Sequence, residues 1–498
     1  MSALWKEKDF VYLRSFCFRK QKERKYTKSF SFHKALINQF IILSLSPHLE
    51  IEQNMKPQIL ISAATASSGK TFLAMGLLRA LKKRGMNVQP YKCGPDFIDS
   101  QQLSIAADCE SVNLDAWMSS SHHVQHLFNK YGEQADACVI EGTGGLYDGY
   151  RRMQGSTIEM SNLLNLPVVL LINARLAGYS VAPMIYGFKH FYTGVRLAGV
   201  IFNQISSPAH YAHLREACAD TGVDCLGYLP MMEGIKLPPK HSVISVANRR
   251  SLNEQADQIA EQLEKTIDIN RMLSRCNRNF PCPYTLPYSS DMEDDSLVLP
   301  LRKIKIAVAR DPAFNFTYRE NLARLAKWGN ITYFSPLYGY ELPEADLIYL
   351  PGGYPELFAR QLHRRYKMME ALKEYAERGG KILAEGGGMV FLGRSLKSKE
   401  NGTAYSMSNI LPIDFTMPAI PRLQSGYRKT NFEEMELKGY EFRYTSIQED
   451  ETPSTCRKSI ITNLKGTEDL MPFYRYKNVL ASHSHWYWGD KDLLRWWE

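Results

Sequence analysis

The chain has 498 residues, enough for two or more domains with complete cores. At 44% hydrophobic and 23% charged it has the composition of an ordinary globular protein, which excludes a disordered or fibrous chain. The net charge of +9 is a weak argument for a nucleic-acid partner, because residues 1–54 alone hold ten Lys/Arg against five Asp/Glu. The nine cysteines are scattered, with no CxxC and no metal-like spacing, which points to free thiols in a reducing compartment and hence to the cytoplasm. No stretch approaches the ~18–20 apolar residues of a membrane span.

Residues 1–54 are basic and aromatic early (Arg19, Lys20, Lys22, Arg24, Lys25) and mostly apolar from Ala35 to Leu45. The run has the length of a signal h-region, but Asn38, Gln39 and Ser44 interrupt it and no small-residue cleavage site follows. Met55, just before Lys56-Pro57-Gln58, is the expected natural start, with the upstream segment disordered or a misassigned start.

Residues 56–265 alternate apolar runs with amphipathic stretches. Strands are predicted at Gln58–Ala63, Val88–Lys92, Ala137–Ile140, Val168–Asn173 and Leu197–Phe202, an order that gives a parallel sheet with helices on both faces. The first strand runs into Ala64-Thr65-Ala66-Ser67-Ser68-Gly69-Lys70-Thr71, and a helical pattern follows through Leu73, Leu77, Leu78 and Leu81. That is the layout of a phosphate-cradling loop. Ser68 and Gly69 offer backbone N–H groups, Lys70 a charge for the β/γ-phosphates, and Thr71 a hydroxyl for Mg²⁺. The usual leading glycine falls on Ala63 or Ala64, depending on loop length.

Residues 266–302 break the pattern with Pro281, Pro283, Pro287, Ser289, Ser290 and the acidic cluster Asp291, Glu293, Asp294 and Asp295. They read as an interdomain linker. A second α/β domain over 303–498 opens at Lys303–Val308 and continues with strands at Asn330–Phe334, Leu347–Tyr349 and Lys381–Ala384.

Longer motifs add specificity. They are Lys92-Cys93-Gly94-Pro95-Asp96-Phe97-Ile98-Asp99, Asn113-Leu114-Asp115-Ala116-Trp117-Met118 and Val139-Ile140-Glu141-Gly142-Thr143-Gly144-Gly145-Leu146-Tyr147-Asp148-Gly149. The second half supplies Ala313-Phe314-Asn315-Phe316, Phe334-Ser335-Pro336, Leu350-Pro351-Gly352-Gly353-Tyr354-Pro355-Glu356 and Ala481-Ser482. In this order they resemble the cobyrinic acid a,c-diamide synthase family over residues 57–498.

The resemblance implies two doubly wound domains. The first is a P-loop NTPase-like, dethiobiotin synthetase-like ATP-binding amidoligase domain, and the second a class I glutamine amidotransferase-like domain. It implies ATP and Mg²⁺, a corrinoid or other tetrapyrrole polycarboxylate as substrate, and ammonia or glutamine as nitrogen source. A homodimer is left open, and no nucleic acid or membrane is expected. Lys70, Asp96 and Glu141 become the expected catalytic residues, and Thr71, Asp96 and Glu141 the Mg²⁺ ligands. Glu141 ends a strand, where a carboxylate can instead be satisfied by backbone N–H groups, and Asp96 follows a proline, where a turn cap is the alternative. Asn203 is expected to contact the base. Asp99 and Asp148 face either substrate or a local turn; Lys92 faces substrate or is a solvated lysine, and Tyr147 faces substrate or is a buried aromatic.

Three departures from the family pattern matter. The Ala-Glu-Cys-Gly-Gly elbow that carries the glutaminase nucleophile reads Ala384-Glu385-Gly386-Gly387-Gly388, and a glycine cannot form a glutamyl thioester. His485 matches the glutaminase base and is expected to be idle. The family's Ser-Tyr-x-His-x-His has His483 at its Tyr and Tyr487 at its last His, and Gly-His-Glu-Phe-His has Tyr440 and Arg443 at its histidines. The Arg-His-Leu-Gly-Leu after a proline is reduced to Lys240-His241-Ser242-Val243-Ile244. Together these imply ammonia from outside or from a separate glutaminase. A catalytically silent nucleotide- or tetrapyrrole-binding paralogue, and amidation of another macrocycle such as nickel-sirohydrochlorin, remain the alternatives.

Overall fold

The structure, a computed structural model, describes residues 54–235, 237, 246–284, 302–398, 402–420, 422–450, 456–469 and 472–497. The expectations for residues 1–53, for the altered loop at His241 and for 285–301 of the linker fall outside these. Met55–Glu498 forms one compact unit.

The first sheet contains β1 (Asn54–Ala63), β2 (Val88–Cys93), β3 (Val112–Leu114), β4 (Ala137–Glu141), β5 (Val168–Asn173), β6 (Leu197–Ile205) and β7 (Cys225–Pro230). Their order is β3-β2-β4-β1-β5-β6-β7, all parallel, with helices between them. β1 is central, and its side chains alternate between two cores. Ile59, Ile61 and Ala63 join the cluster that includes the helices Lys70–Lys83 and Val246–Thr266, while Leu60 packs on the other face. A strand buried on both faces reads as a near-continuous apolar run, here Ile59-Leu60-Ile61, and its buried Gln58 is satisfied by the carbonyls of Arg278 and Asn279.

The linker expected from 266 does not begin there. A helix spans Ile269–Arg275, and β8 (Asn277–Phe280) pairs with β1. Ile269, Met272, Cys276 and Phe280 are buried, so apolar spacing over those residues outweighs the proline signal that follows.

The second half is built on β9 (Ile304–Ala309), β10 (Gly329–Phe334), β11 (Leu347–Leu350) and β12 (Lys381–Glu385), which form a parallel core in the order β10-β9-β11-β12. Short strands β13 (Ser395–Ser398), β14 (Ala404–Ser406), β15 (Ile413–Met417), β16 (Gln424–Phe432), β17 (Met435–Arg443), β18 (Ser446–Asp450), β19 (Arg457–Ser459) and β20 (Ile461–Asn463) follow. β22 (Val479–Ser482) extends the core parallel to β12, β21 (Phe473–Tyr476) adds to it antiparallel, and β23 (Ser484–Tyr487) pairs with β17. The helix Gly387–Leu392 starts directly after β12, making the sharp strand-to-helix elbow at Gly386.

Side chains tie the halves together. Phe97 stacks on Phe316 with ring centroids 5.2 Å apart, and the Tyr427 hydroxyl donates to Asp115 at 2.7 Å. Glu320 accepts from Lys130 at 2.8 Å and from Tyr131 at 2.6 Å. Because every one of these contacts lies within Met55–Glu498, a chain starting at Met55 is expected to fold and bind nucleotide as the full chain does. Thermal unfolding and a nucleotide titration check this, and aggregation or loss of nucleotide binding on removing residues 1–54 would contradict it.

Candidate active site

The parallel register assembles the first site. β1 and β4 align Ile61 with Glu141, and β2 and β4 align Lys92 with Glu141. Strand ends that lie far apart in sequence therefore meet at the carboxyl edge of the sheet, where such folds bind ligands. The loop after β1 turns through Gly69, whose φ of +97° suits only glycine; a Cβ there would also collide with Asn203 Nδ2. Lys70 then opens the helix and reaches across to the carbonyl of Gly144.

Glu141 is 1% exposed and holds the centre of this site. Its Oε1 accepts from the Thr71 hydroxyl at 2.7 Å and from Lys92 Nζ at 2.9 Å. Its Oε2 is buried with no hydrogen-bond partner. A bare buried carboxylate oxygen is costly unless something else occupies its lone pairs. The alternative of a strand-end carboxylate satisfied by backbone N–H groups is therefore not what the structure has. Burial raises the Glu141 pKa, with Lys92 pulling against it.

Lys92 is neither solvated nor idle. Its ammonium lies 2.8 Å from Asp99 Oδ2, 2.9 Å from Glu141 Oε1 and 3.4 Å from the Gly142 carbonyl. Burial works against its charge, but Asp99 and then Glu141 outweigh that and hold its pKa above the ordinary lysine value. Asp99 thus stands beside Lys92 and Glu141 at the sheet edge. Asp96 caps the helix Phe97–Ala107, accepting from the Asp99 N–H at 2.8 Å. Asp148 likewise accepts from the Gly145 N–H at 3.0 Å, the turn-cap alternative. The Tyr147 hydroxyl donates to the Phe188 carbonyl at 2.7 Å, and its ring stacks on Phe188. Asn203 braces the phosphate loop: Nδ2 donates to the Ser68 carbonyl at 2.8 Å, and Oδ1 accepts from the Gln204 N–H at 2.8 Å.

Among the described residues no group of three or more His, Cys, Asp or Glu side chains could hold a metal ion by itself. That suits Mg²⁺, which takes one or two carboxylates and completes its shell with phosphate oxygens and water. The bare Oε2 of Glu141 beside the Thr71 hydroxyl is the matching donor set.

The second site lies at the elbow. Gly386 has φ +50° and ψ −116°. A Cβ on it would collide with His485 Nε2 and lie 2.7 Å from Cε1 and 3.2 Å from Gly352 Cα. A Cβ on Gly352 would also strike His485 Nε2. The imidazole therefore occupies the space that a Cβ at residue 386 would need. His485 is buried, with Nδ1 3.1 Å from the Tyr440 carbonyl and Nε2 unpartnered. Burial pushes its pKa down to about 4, so the ring is neutral at physiological pH. Tyr487 hydrogen-bonds His123 Nε2 at 2.7 Å rather than serving His485. His483 is buried against Phe415, and Arg443 pairs with Glu441. No sequence signal announced that His485 fills the elbow; only the packing shows it.

Comparison with known proteins agrees with both halves. Residues 59–244 match the CobQ/CobB/MinD/ParA nucleotide binding domain, and residues 305–493 the CobB/CobQ-like glutamine amidotransferase domain. Proteins described as cobyrinate a,c-diamide synthase are similar over most of the chain. The Dehalococcoides mccartyi protein is 34% identical over 461 residues, covering 88% of this chain and 97% of its own. The Saccharolobus solfataricus protein is 33% identical over 450 residues, covering 88% and 99%. The Salmonella typhimurium protein is 34% identical over 460 residues, covering 88% and 96%. Among the described residues no helix is long and apolar enough to cross a membrane. With its nucleotide-binding half, its amidotransferase-like half and this extent of similarity, the chain belongs to the cobyrinate a,c-diamide synthase family of amide-forming ligases.

Proposed function

We propose that this protein uses ATP to amidate the a and c carboxylates of cobyrinate, taking ammonia that its own second half does not make. The observation that carries the first part is the bare, buried Oε2 of Glu141 beside Thr71 and Lys70. The second part rests on His485 standing where a nucleophile's Cβ would be.

Forming an amide from a carboxylate is uphill without activation. In this reading a substrate carboxylate oxygen attacks the γ-phosphorus, the bond to the β-γ bridging oxygen breaks, and ADP leaves. Ammonia then attacks the acyl carbon, the C–O bond to phosphate breaks, and the nitrogen gives up a proton. The protein's part is positioning and charge stabilisation. Lys70 leaves the Gly144 carbonyl to meet the β/γ-phosphates, and the backbone around Gly69 cradles them. Thr71 and Glu141 would hold Mg²⁺, whose contribution is to neutralise charge on the phosphates. Asp96 and Asn203 act at one remove, capping the helix that carries Asp99 and bracing the phosphate loop.

The test is ATP, ammonium and cobyrinate with purified protein, read by mass spectrometry for stepwise replacement of OH by NH₂. Two replacements are expected. The rate should rise with pH as free NH₃ increases, and glutamine as sole nitrogen source should give no product. Product from glutamine at an ordinary enzymatic rate would refute the ammonia reading. Nucleotide binding without turnover on cobyrinate or any related tetrapyrrole would leave a binding-only paralogue.

A further inference from the structure

Lys92 presents an unusual arrangement for a lysine beside a phosphate loop. An ammonium has three N–H donors. Three acceptors surround this one: Asp99 Oδ2 at 2.8 Å, Glu141 Oε1 at 2.9 Å and the Gly142 carbonyl at 3.4 Å. The side chain is 4% exposed, and its two carboxylate partners are 10% and 1% exposed. None of its donors is left to meet a phosphate. The same Glu141 carboxylate carries the unpartnered Oε2 that suits a divalent cation. A monovalent cation on a tether and a divalent cation therefore compete for one carboxylate. Two positive groups within a few ångströms in a buried site repel strongly.

We propose that Lys92 is the internal counterion of the nucleotide-free site: its ammonium clamps Glu141 to Asp99 and keeps divalent metal out until nucleotide phosphates arrive to draw it away. Metal then loads with nucleotide rather than before it. The inference rests on the ATP–metal reading of this site. The phosphates supply what Lys92 needs in order to move, since a triphosphate replaces the negative charge that its ammonium gives up. Once released, Lys92 is placed to face the phosphates, and Glu141 is free to present both oxygens. In the empty protein the clamp also fixes the helix Phe97–Ala107 against β4 through Asp99, so its release loosens the start of that helix. Lys92 is thus a positioning residue whose effect is exerted on metal occupancy.

The experiment measures Mn²⁺ binding to the protein by electron paramagnetic resonance of the free ion, with and without a non-hydrolysable ATP analogue. Wild-type protein without nucleotide is expected to bind Mn²⁺ at least tenfold more weakly than the Lys92→Met variant. In that variant Glu141 and Asp99 remain as buried carboxylates with no lysine between them, and a metal ion is the natural replacement. Because unpaired buried carboxylates can also unfold a protein, Lys92→Gln is measured alongside: its amide still donates a hydrogen bond but carries no charge. Retained binding of the analogue shows that each variant is folded. Nucleotide-free affinity for Mn²⁺ that is unchanged or weaker in either folded variant overturns the proposal. So does wild-type protein that binds Mn²⁺ as tightly alone as with the analogue. The Lys70→Met variant separates the two readings. If it binds analogue and metal like wild type, the ATP site itself is misplaced; if it loses the analogue while the Lys92 variants match wild type in metal affinity, only the counterion role fails.

Discussion

Replacing Lys70 by alanine is expected to lower ATP-dependent amidation by about three orders of magnitude or more, the scale seen when a single charge-stabilising group is removed from a phosphoryl-transfer site. The fold should survive. Lys70 donates to the Gly144 carbonyl, and a hydrogen bond of this kind is worth roughly 0.5–1.5 kcal/mol. Glu141→Gln should be costlier in two ways. It removes the carboxylate that Thr71 and Lys92 both use, and it leaves Lys92 with Asp99 as its one remaining carboxylate partner. Breaking one side of a buried ion pair typically costs ~3–5 kcal/mol, so this variant should melt below wild type as well as lose activity. Its residual turnover should need higher Mg²⁺, because the bare Oε2 is replaced by an amide. Steady-state rates across a Mg²⁺ series, together with thermal melts of both variants, separate the effects. Wild-type turnover in both variants would show that the chemistry lies elsewhere.

Gly386→Cys is the second large effect, and here the structure sharpens the sequence argument. From sequence alone the substitution restores the family's nucleophile beside Gly352, Gly353 and His485, and a trace of glutaminase activity is conceivable. In the structure the new Cβ collides with the imidazole of His485. The position also has φ +50°, ψ −116°, which glycine tolerates and an L-residue adopts only under strain. Strain and overpacking each cost ~1–3 kcal/mol, so a loss of about 2–6 kcal/mol and no useful glutamine hydrolysis are expected. Gly386→Ala should destabilise almost as much, since the Cβ and not the thiol makes the clash. Combining it with His485→Ala should recover part of that loss, a coupling that a double-mutant cycle reads directly. Glutamate release at ordinary enzyme rates from the Cys variant would mean that His485 withdraws readily and that the pocket is intact.

Strands β1, β2, β4, β5 and β6 of the first sheet and β9 to β12 of the second were legible because strands covered by packing read as largely apolar runs, whereas β3, only three residues long, and β7 were not expected from the sequence. The phosphate loop, Glu141 and the altered elbow were legible for a related reason: each is a local run whose chemistry depends on residue types at fixed spacing. Several of the strands after Ser395 were not, being three to five residues long and partly exposed, so no period stands out. The first domain reaches past 266: Ile269, Met272 and Phe280 still pack into its cores, although the prolines farther along suggest a linker.

The sequence by itself determined the two α/β halves, the presence of Lys70, Thr71 and Glu141 at strand and loop ends, and the absence of a nucleophile at 386. The tertiary structure decided which partners these side chains meet. It turned Asp96 into a helix cap, brought Asp99 onto Lys92, made Asn203 a brace for Ser68, and filled the empty elbow with His485. The physical reason is that identity and spacing fix what a residue can donate or accept. Which partner it meets depends on strand register and helix placement, set by packing over the whole sheet.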